Sequence, residues 1–369
     1  MKVIYIVNDL DFFLSHRIAL ATHAVKRGYE VYIVSDKIVD IGHPNIHLIK
    51  IRLQRSSTGI FNNLKTIRDL FSVIKRIEPT LIHNVTLKPI LYTNLLLLFN
   101  KKIKVVNAIS GLGFLFTFNI KSKARIFTES LFRLIIRVKK PYFIFQNEVD
   151  ENQFKKLGLK NDQRVIIKGS GVDAHLFDYT VPNKNEVIEV VFTGRILIDK
   201  GLIEFIEAAK LLKEDYHKRV KFSIYGKIDL ENPAYITEED LLVQMDKDYI
   251  TWHDYTNDVK SVLKRADIYC LPSYREGLPK SIVEAMAIGR PILTTSAPGC
   301  DDTVEEGFNG FKVPVGDVTH LSEALKLLID DENLRLQLGK NSRELFEKEF
   351  TLEKIVEQTF DFYEEILNS

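Results

Sequence analysis

Residues 276–287, EGLPKSIVEAMA, follow an apolar run at residues 266–271 and a short loop. Pro279 suits the first turn of a helix, where a missing N–H group costs nothing. The residues after it are apolar on nearly every side except for one carboxylate, Glu284, so the sequence predicts a buried helix. Burying an ionised carboxylate costs on the order of several kcal/mol unless a partner donates hydrogen bonds to it. We therefore expect Glu284 to have a partner, and a ligand could provide it.

The start of this helix is a candidate site for an anion. Lys280 and Ser281 would present backbone N–H groups at the positive end of the helix dipole, where phosphate groups bind. Glu276 stands in the preceding loop. A carboxylate suits a vicinal diol, because its two oxygen atoms can accept both hydroxyl protons. For an isolated pair of glutamates, a solvated loop acid and a hydrogen-bonded core acid would be the simpler interpretation.

Short apolar runs alternate with amphipathic segments along the whole chain. Runs of strand length occur at residues 3–7 and 29–34, and residues 60–77 have a helical pattern of apolar positions. The alternation begins again at residues 187–193, after a polar segment at residues 178–186 that is typical of a linker. This order predicts an α/β protein with a doubly wound parallel sheet in each half, and 369 residues suffice for two such domains.

The composition excludes several classes of protein. The chain is 45% hydrophobic and 27% charged with a net charge of +1, which gives no general sign of nucleic-acid binding. Cys270 and Cys300 provide neither a disulfide framework nor a metal-binding spacing. No G-x-G-x-x-G follows the first strand, which argues against a nicotinamide or flavin cofactor. The longest apolar tract, residues 89–99, is too short to span a bilayer, and no signal-peptide layout is present, so we expect a cytoplasmic protein.

Two cations follow the first strand of the second half. They belong to the pattern GR-x4-KG, in which Gly194 and Arg195 precede Lys200. The carboxyl ends of parallel strands form the edge of a sheet where ligands bind. Arginine as a planar fork and lysine as a point charge together fit a diphosphate. Gly226, which ends the next strand, would let a nucleotide approach the backbone.

GR-x4-KG followed later in the chain by E-x7-E (Glu276 and Glu284) resembles the retaining glycosyltransferases of family 4. The resemblance implies the GT-B fold, with two Rossmann-like domains facing a cleft and a last helix that crosses back to the first domain. The bounds expected from it are residues 1–178 with 351–369 for the acceptor domain, and 179–350 for the donor domain.

The resemblance also implies roles for individual residues. Arg195 and Lys200 would bind the diphosphate of the donor, Glu276 would bind its sugar and Glu284 its ribose. Arg195, Lys200 and Glu276 are the predicted catalytic residues. The other expected donor-site residues are Gly194, Gly226, Trp252, His253, Gly277, Leu278, Lys280 and Ser281. Trp252 and His253 lie where the family holds the base, although packing alone would also explain Trp252. Neither a metal nor a cofactor is expected, and the UDP-sugar is a co-substrate.

Three segments of the first half, FFLSHR (12–17), TLKP (86–89) and NAISGLG (107–113), resemble a bacterial subgroup of the family. That subgroup builds capsule, O-antigen or N-linked glycans on polyprenyl diphosphate carriers. The acceptor-side residues implied are His16, Lys88, Ser110 and Gly111. A structural or solvated role is the simpler interpretation of His16. Ser110 stands where many members have a histidine, so contacts of that histidine do not transfer to this chain.

The function implied is transfer of an N-acetylhexosamine or a related sugar from a UDP-sugar to a polyprenyl-diphosphate-linked glycan. Retention at the anomeric carbon and a place in surface polysaccharide synthesis are part of the same resemblance. Three alternatives stay open: a UDP-sugar 2-epimerase of the same fold, a non-catalytic nucleotide-sugar-binding protein, and a glycosidase with its two carboxylates on either side of the sugar.

Residues 101–140 are strongly basic, with ten Lys or Arg and one acid, Glu129, interleaved with phenylalanines. Such a stretch could rest on anionic lipid at the inner face of the cell membrane, where each basic residue contributes about 1 kcal/mol. A core helix with a basic, solvated outer face explains it equally well.

Overall fold

The computed structural model describes residues 1–53, 60–112, 123–182, 187–246 and 248–369. Gly113 and the middle of the basic stretch predicted at residues 101–140 lie outside the described residues. The chain forms two compact units, the first of Met1–Ser170 with Lys354–Ser369 and the second of Gly171–Glu353. Each unit is built on its own sheet.

The first unit contains a seven-stranded parallel sheet with the order β3-β2-β1-β4-β5-β6-β7. Its strands are β1 (Lys2–Val7), β2 (Glu30–Ser35), β3 (Ile46–Lys50), β4 (Leu81–Val85), β5 (Lys104–Ile109), β6 (Tyr142–Phe145) and β7 (Arg164–Ile166). Its helices are Leu10–His16, Ile18–Lys26, Ile60–Ile77, Leu87–Leu96, Lys123–Val138, Glu148–Lys155 and Leu352–Asn368. The strand order changes direction between β1 and β4, which makes their carboxyl ends the expected ligand edge.

The second unit contains a six-stranded parallel sheet with the order β10-β9-β8-β11-β12-β13. Its strands are β8 (Ile188–Thr193), β9 (Val220–Tyr225), β10 (Ile250–His253), β11 (Ile268–Leu271), β12 (Ile292–Thr295) and β13 (Gly310–Val313). Its helices are Leu202–Tyr216, Glu238–Gln244, Val259–Arg265, Lys280–Ile288, Val318–Asp330 and Glu332–Glu349. Here the order changes direction between β8 and β11. Two doubly wound parallel sheets confirm the predicted α/β class.

The division between the units falls at residue 170, whereas the sequence pattern placed it at residue 178. Packing explains the difference. Phe177 belongs to the hydrophobic core of the second unit, and the Thr180 amide donates to the carbonyl of Ile288 at 3.1 Å. Near the C-terminus the chain passes back to the first unit, which it joins from residue 354. Just before that point, the Leu352 amide donates to the Val172 carbonyl at 2.9 Å.

The last helix, Leu352–Asn368, packs against the first unit as predicted. Its buried Tyr363 hydroxyl lies 2.5 Å from Nδ1 of His83, a residue of β4. On its exposed side, Arg27 forms ion pairs with Glu357 and Glu364 at 2.5 and 2.7 Å. Burial lowers the pKa of His83 to about 3, so this imidazole is neutral at physiological pH.

None of the described helices is both long enough and apolar enough to cross a membrane.

Candidate active site

The helix Lys280–Ile288 begins one residue later than the sequence indicates. Pro279 is its N-cap, with φ −71° and ψ 110°, and is not in the first turn, so that prediction is wrong by one residue. The amides of Ile282 and Val283 donate to the Pro279 carbonyl at 3.1 and 3.3 Å. Lys280 and Ser281 are therefore the first two helical residues, whose amides point out of the end of a helix.

Lys200 and Glu276 meet at the centre of the site. The Lys200 ammonium forms an ion pair with Oε1 of Glu276, and the two side chains are only 16% and 12% exposed. The same oxygen accepts a hydrogen bond from the buried Ser273 hydroxyl at 2.9 Å. Sequence reasoning missed Ser273, since a serine in a loop after a strand has no distinguishing pattern. Two donors from two separate loops, the Lys200 ammonium and the Ser273 hydroxyl, thus converge on one carboxylate oxygen.

Two glycines allow these loops to approach. Gly201 has φ +73°, and a Cβ there would overlap the carbonyl of Pro272. Gly299 has φ +81°, and a Cβ there would lie 2.5 Å from the carbonyl oxygens of Glu276 and Gly277. The backbone of the Glu276 loop is therefore enclosed on both sides, and only residues without side chains fit at those contacts.

Gly277 and Leu278 are buried between this loop and the helix. Leu278 is part of the hydrophobic core of the second unit. Their position supports the loop that carries Glu276, and a direct donor contact by either residue stays a prediction.

Glu284 has the partner that the sequence predicted, and it comes from the same helix. Its Oε1 lies 3.2 Å from Nζ of Lys280, one helical turn earlier. Burial raises the pKa of the Glu284 carboxyl, and the nearby Lys280 ammonium opposes that shift. The pair leaves a buried carboxylate beside the helix start, where a diol could donate hydrogen bonds to it.

Arg195 lies at the carboxyl end of β8 and is nearly half exposed. Its Nη1 forms an ion pair with Oδ2 of Asp229 at 2.8 Å. Asp229 is a second residue that sequence reasoning missed, because it lies in an irregular loop. Burial raises the pKa of Asp199, and the charges of Lys200, Glu276 and Arg195 also act on it, so these groups share one electrostatic environment.

The strand ends of β8, β9 and β10 are joined by main-chain contacts. A Cβ on Gly226 would overlap the Gly194 carbonyl, so the loops after β8 and β9 are in contact. This contact requires glycine at position 226. Trp252 donates from Nε1 to the Gly226 carbonyl at 3.0 Å. The exposed His253 ring stacks on Tyr225 with 4.4 Å between centroids. Gly194, Gly226, Trp252 and His253 are thus brought together, and base binding by Trp252 and His253 stays a prediction.

Arg195, Lys200 and Lys280, the predicted donor-site cations, are each paired with a carboxylate. The pairs are Arg195 with Asp229, Lys200 with Glu276, and Lys280 with Glu284. A diphosphate entering this site would compete with these carboxylates for the same cations. The arrangement can therefore hold the cations in place and then exchange one anionic partner for another.

The predicted acceptor-side residues all lie in the first unit. Nδ1 of His16 lies 2.7 Å from the Ser15 hydroxyl, and its ring stacks on Phe12, so local contacts account for much of its orientation. Lys88 is the second residue of the helix Leu87–Leu96, and partial burial lowers its pKa. The two remaining residues follow β5.

Ser110 and Gly111 form the turn after β5. The Ser110 hydroxyl accepts a hydrogen bond from Nη2 of Arg17 at 3.4 Å, and Gly111 has φ +97°, a conformation that favours glycine. Arg17 was not predicted as a site residue, although it ends the FFLSHR segment. Arg17 is nevertheless buried. The sequence did not predict this burial, because a single basic residue between two helices carries no sign of it.

Comparisons with known proteins identify the family of this chain. Residues 177–345 match the family model described as glycosyl transferases group 1, and residues 2–147 match the one described as glycosyl transferase 4-like. An N,N'-diacetylbacillosaminyl-diphospho-undecaprenol alpha-1,3-N-acetylgalactosaminyltransferase of Campylobacter jejuni is 29% identical over 89% of this chain and 92% of its own. The capsular polysaccharide biosynthesis glycosyltransferase CapM of Staphylococcus aureus is 25% identical over 93% and 91%.

Solved structures share the fold. A sucrose-phosphate synthase of Thermosynechococcus elongatus superposes with a TM-score of 0.82 at 17% identity, covering 100% of this chain and 99% of its own. Anabaena HepE in complex with UDP and glucose gives 0.79 at 16% identity and covers 99% of both chains. The protein is thus a glycosyltransferase with the GT-B fold, an enzyme of class EC 2.4. It belongs to glycosyltransferase family 4.

Proposed function

We propose that the enzyme transfers an N-acetylhexosamine or a related sugar from a UDP-sugar to a polyprenyl-diphosphate-linked glycan, with retention at the anomeric carbon. The product would belong to a capsule or another surface glycan. The Campylobacter jejuni relative is named for transfer to a diphospho-undecaprenol-linked sugar, and an Escherichia coli relative for UDP-Gal and the same kind of carrier. The crystal structures of Anabaena HepE in complex with UDP support a UDP donor.

The observation that carries the proposal is the junction of Lys200, Ser273 and Glu276. An ammonium and a hydroxyl hold one oxygen of the Glu276 carboxylate, which lies beside the start of the helix Lys280–Ile288. A carboxylate fixed in this way is oriented to accept a sugar hydroxyl, while the cation beside it attracts phosphate oxygens.

The proposed chemistry uses protein cations instead of a metal ion. As the bond from the sugar to the nucleoside diphosphate breaks, negative charge grows on the leaving phosphate. Arg195, Lys200 and the amides of Lys280 and Ser281 would stabilise that charge without having to move far. Glu276 would hold the donor sugar and Glu284 the ribose diol.

Release of UDP tests the function. Purified protein with a UDP-N-acetylhexosamine and a panel of polyprenyl-diphosphate-linked sugars, in EDTA, is expected to release UDP only when donor and acceptor are both present. The anomeric configuration of the product, measured by NMR, should be that of the donor. Thermal shifts with UDP-, GDP- and dTDP-sugars identify the base, because a ligand that binds only the folded state raises the melting temperature.

The same measurements separate the alternatives. A UDP-sugar that is isomerised without an acceptor would indicate the 2-epimerase, and cleavage of a free glycoside would indicate a glycosidase. Binding of the nucleotide sugar without turnover across the acceptor panel would indicate a non-catalytic protein. Loss of transfer in EDTA, with recovery on adding a divalent cation, would contradict the metal-independent chemistry.

We also propose that the enzyme works at the cytoplasmic face of the membrane, where a lipid-linked acceptor would be presented. The helix Lys123–Val138 supports this through its outward face. That face carries exposed apolar and basic side chains, Ile126, Phe127, Arg133, Leu134 and Arg137. The one acid of the helix, Glu129, is paired with Arg125 at 3.0 Å. An amphipathic face of this composition suits anionic lipid.

Flotation with vesicles measures this contact. The protein is expected to float with anionic vesicles at low salt, and the double substitution Phe127→Ser and Leu134→Ser should lower the bound fraction severalfold, because apolar burial in the membrane is lost. Leu242→Ser with Val243→Ser, two exposed positions of the second unit, is the matched control. Equal flotation of both variants, or no binding by the wild type, would remove the membrane proposal.

A further inference from the structure

Arg17 is a buried guanidinium with few hydrogen bonds. The residue is 2% exposed and lies between the helices Leu10–His16 and Ile18–Lys26. Its Nη1 and Nη2 make long contacts, 3.5 Å to the Gly169 carbonyl and 3.4 Å to the Ser110 hydroxyl. Its Nε is buried without a hydrogen-bond partner, and no carboxylate among the described residues forms an ion pair with Arg17. A buried cation left in this state is costly.

A second buried arginine in the same chain shows the usual solution. Arg290 is fully buried and donates five hydrogen bonds from Nε, Nη1 and Nη2. Four of them are 2.8 to 3.1 Å long. Arg290 therefore has its donors satisfied by the fold, whereas the donors of Arg17 are mostly unused.

The neighbours of Arg17 are neutral. Burial keeps the pKa of Tyr5 and Tyr363 above the ordinary value, and His83 is neutral for the same reason. Burial also lowers the pKa of Arg17 to about 10, so its guanidinium still carries its charge at physiological pH. Among the described residues, the groups that act on the pKa of Arg17 are thus uncharged side chains, and none of them compensates its positive charge.

Arg17 reaches the ligand edge of the first sheet through its contact with Ser110. Ser110 directly follows β5, is partly exposed and is in contact with Nη2. An anion beside Ser110 could accept hydrogen bonds from both the serine hydroxyl and the guanidinium. A planar guanidinium fits two oxygen atoms of a phosphate better than an ammonium does.

We propose that Arg17 and Ser110 form a phosphate-binding site in the first unit and that it takes the diphosphate of the sugar acceptor. The proposal rests on the proposed function for the identity of the ligand, and on the geometry above for the anion site itself. Phosphate oxygens could also come from the donor, so the test separates these two sources.

Inorganic pyrophosphate is the first probe. The variant R195A/K200A weakens the donor site, and pyrophosphate is expected still to raise its melting temperature, by a few degrees at millimolar concentration. The further substitution Arg17→Met should abolish that shift, and Arg17→Lys should reduce it, since lysine retains the charge but not the fork. A shift that survives Arg17→Met, or no shift in R195A/K200A, would overturn the anion site.

Melting temperatures without ligand separate a binding role from a structural one. Replacing an uncompensated buried charge by an apolar side chain of similar length should leave the melting temperature unchanged or raise it. A lower melting temperature in Arg17→Met with an unchanged pyrophosphate shift would show that Arg17 only supports the fold.

Kinetics then identify the source of the phosphate. Arg17→Met in the otherwise unchanged enzyme is expected to raise the KM for the acceptor tenfold or more and to leave the KM for the UDP-sugar unchanged. A rise confined to the donor KM would overturn assignment to the acceptor. An unaltered thermal shift with UDP in Arg17→Met would show that the donor site is intact. The proposed function would then stand even if the KM for the acceptor did not change.

Discussion

Alanine at Lys200 is expected to lower turnover by on the order of a hundredfold or more, and alanine at Arg195 to have a similar effect. Glu276, which stands shortly before the helix Lys280–Ile288, holds the Lys200 ammonium, and Asp229 holds the Arg195 guanidinium. Each would stabilise charge that develops only as the leaving nucleotide departs, so kcat should fall more than KM rises. The measurement is the acceptor-dependent release of UDP at saturating donor.

Matched controls are available in the same unit. Lys210, paired with Glu207 at 3.1 Å, and Arg219, paired with Asp330 at 3.5 Å, are exposed cations on the surface. Alanine at either position should change turnover less than twofold, in keeping with the small effects typical of such pairs. Full activity of correctly folded Arg195→Ala and Lys200→Ala would refute the proposed donor site.

Alanine at Arg290 is expected to destabilise the second unit by about 3 kcal/mol or more, because it removes five hydrogen bonds and leaves a cavity among buried carbonyl groups. The carbonyls of Leu263, Lys264 and Thr180 would lose their donor. Urea denaturation followed by fluorescence of Trp252, which lies in the same unit, measures the free energy of unfolding.

Arg265→Ala is the control for this change. Arg265 precedes Arg290 in the same unit, and its side chain is exposed. It makes one long hydrogen bond, 3.5 Å, to the Tyr225 hydroxyl. Its removal should alter the unfolding free energy by about 0.5 kcal/mol or less. Similar stabilities for Arg290→Ala and Arg265→Ala would mean that the hydrogen bonds of Arg290 contribute little to the fold.

The fold was predictable because its signals are local. Strand-length apolar runs such as residues 3–7 and 187–193 became β1 and β8 within one or two residues, and the helix predicted at residues 60–77 has those bounds. Parallel strands joined by helices admit few arrangements, so the alternation alone leads to doubly wound sheets. Pro279 illustrates the limit at element ends, since proline favours the first helical position and yet is the N-cap here, one residue earlier.

The candidate site was predictable only as a set of residues. The motifs GR-x4-KG and E-x7-E indicated Lys200, Glu276 and Glu284, and the resemblance to a family assigned them roles. Their pairings were not predictable. Lys200 meets Glu276 because β8 and β11 are neighbours in the sheet although many residues separate them in the chain. Ser273 and Asp229 enter the site through the same long-range packing, without a pattern of their own.

The sequence by itself determined the alternation of strands and helices, the two-domain organisation and the motifs of family 4, because each depends on residues near one another in the chain. Only the tertiary structure decided which charged groups are satisfied. Arg17 and Arg290 are both single basic residues at helix ends, yet one is buried with few partners and the other is saturated by carbonyl groups. That difference depends on burial and on the geometry of distant segments, which residue types and spacing do not encode locally.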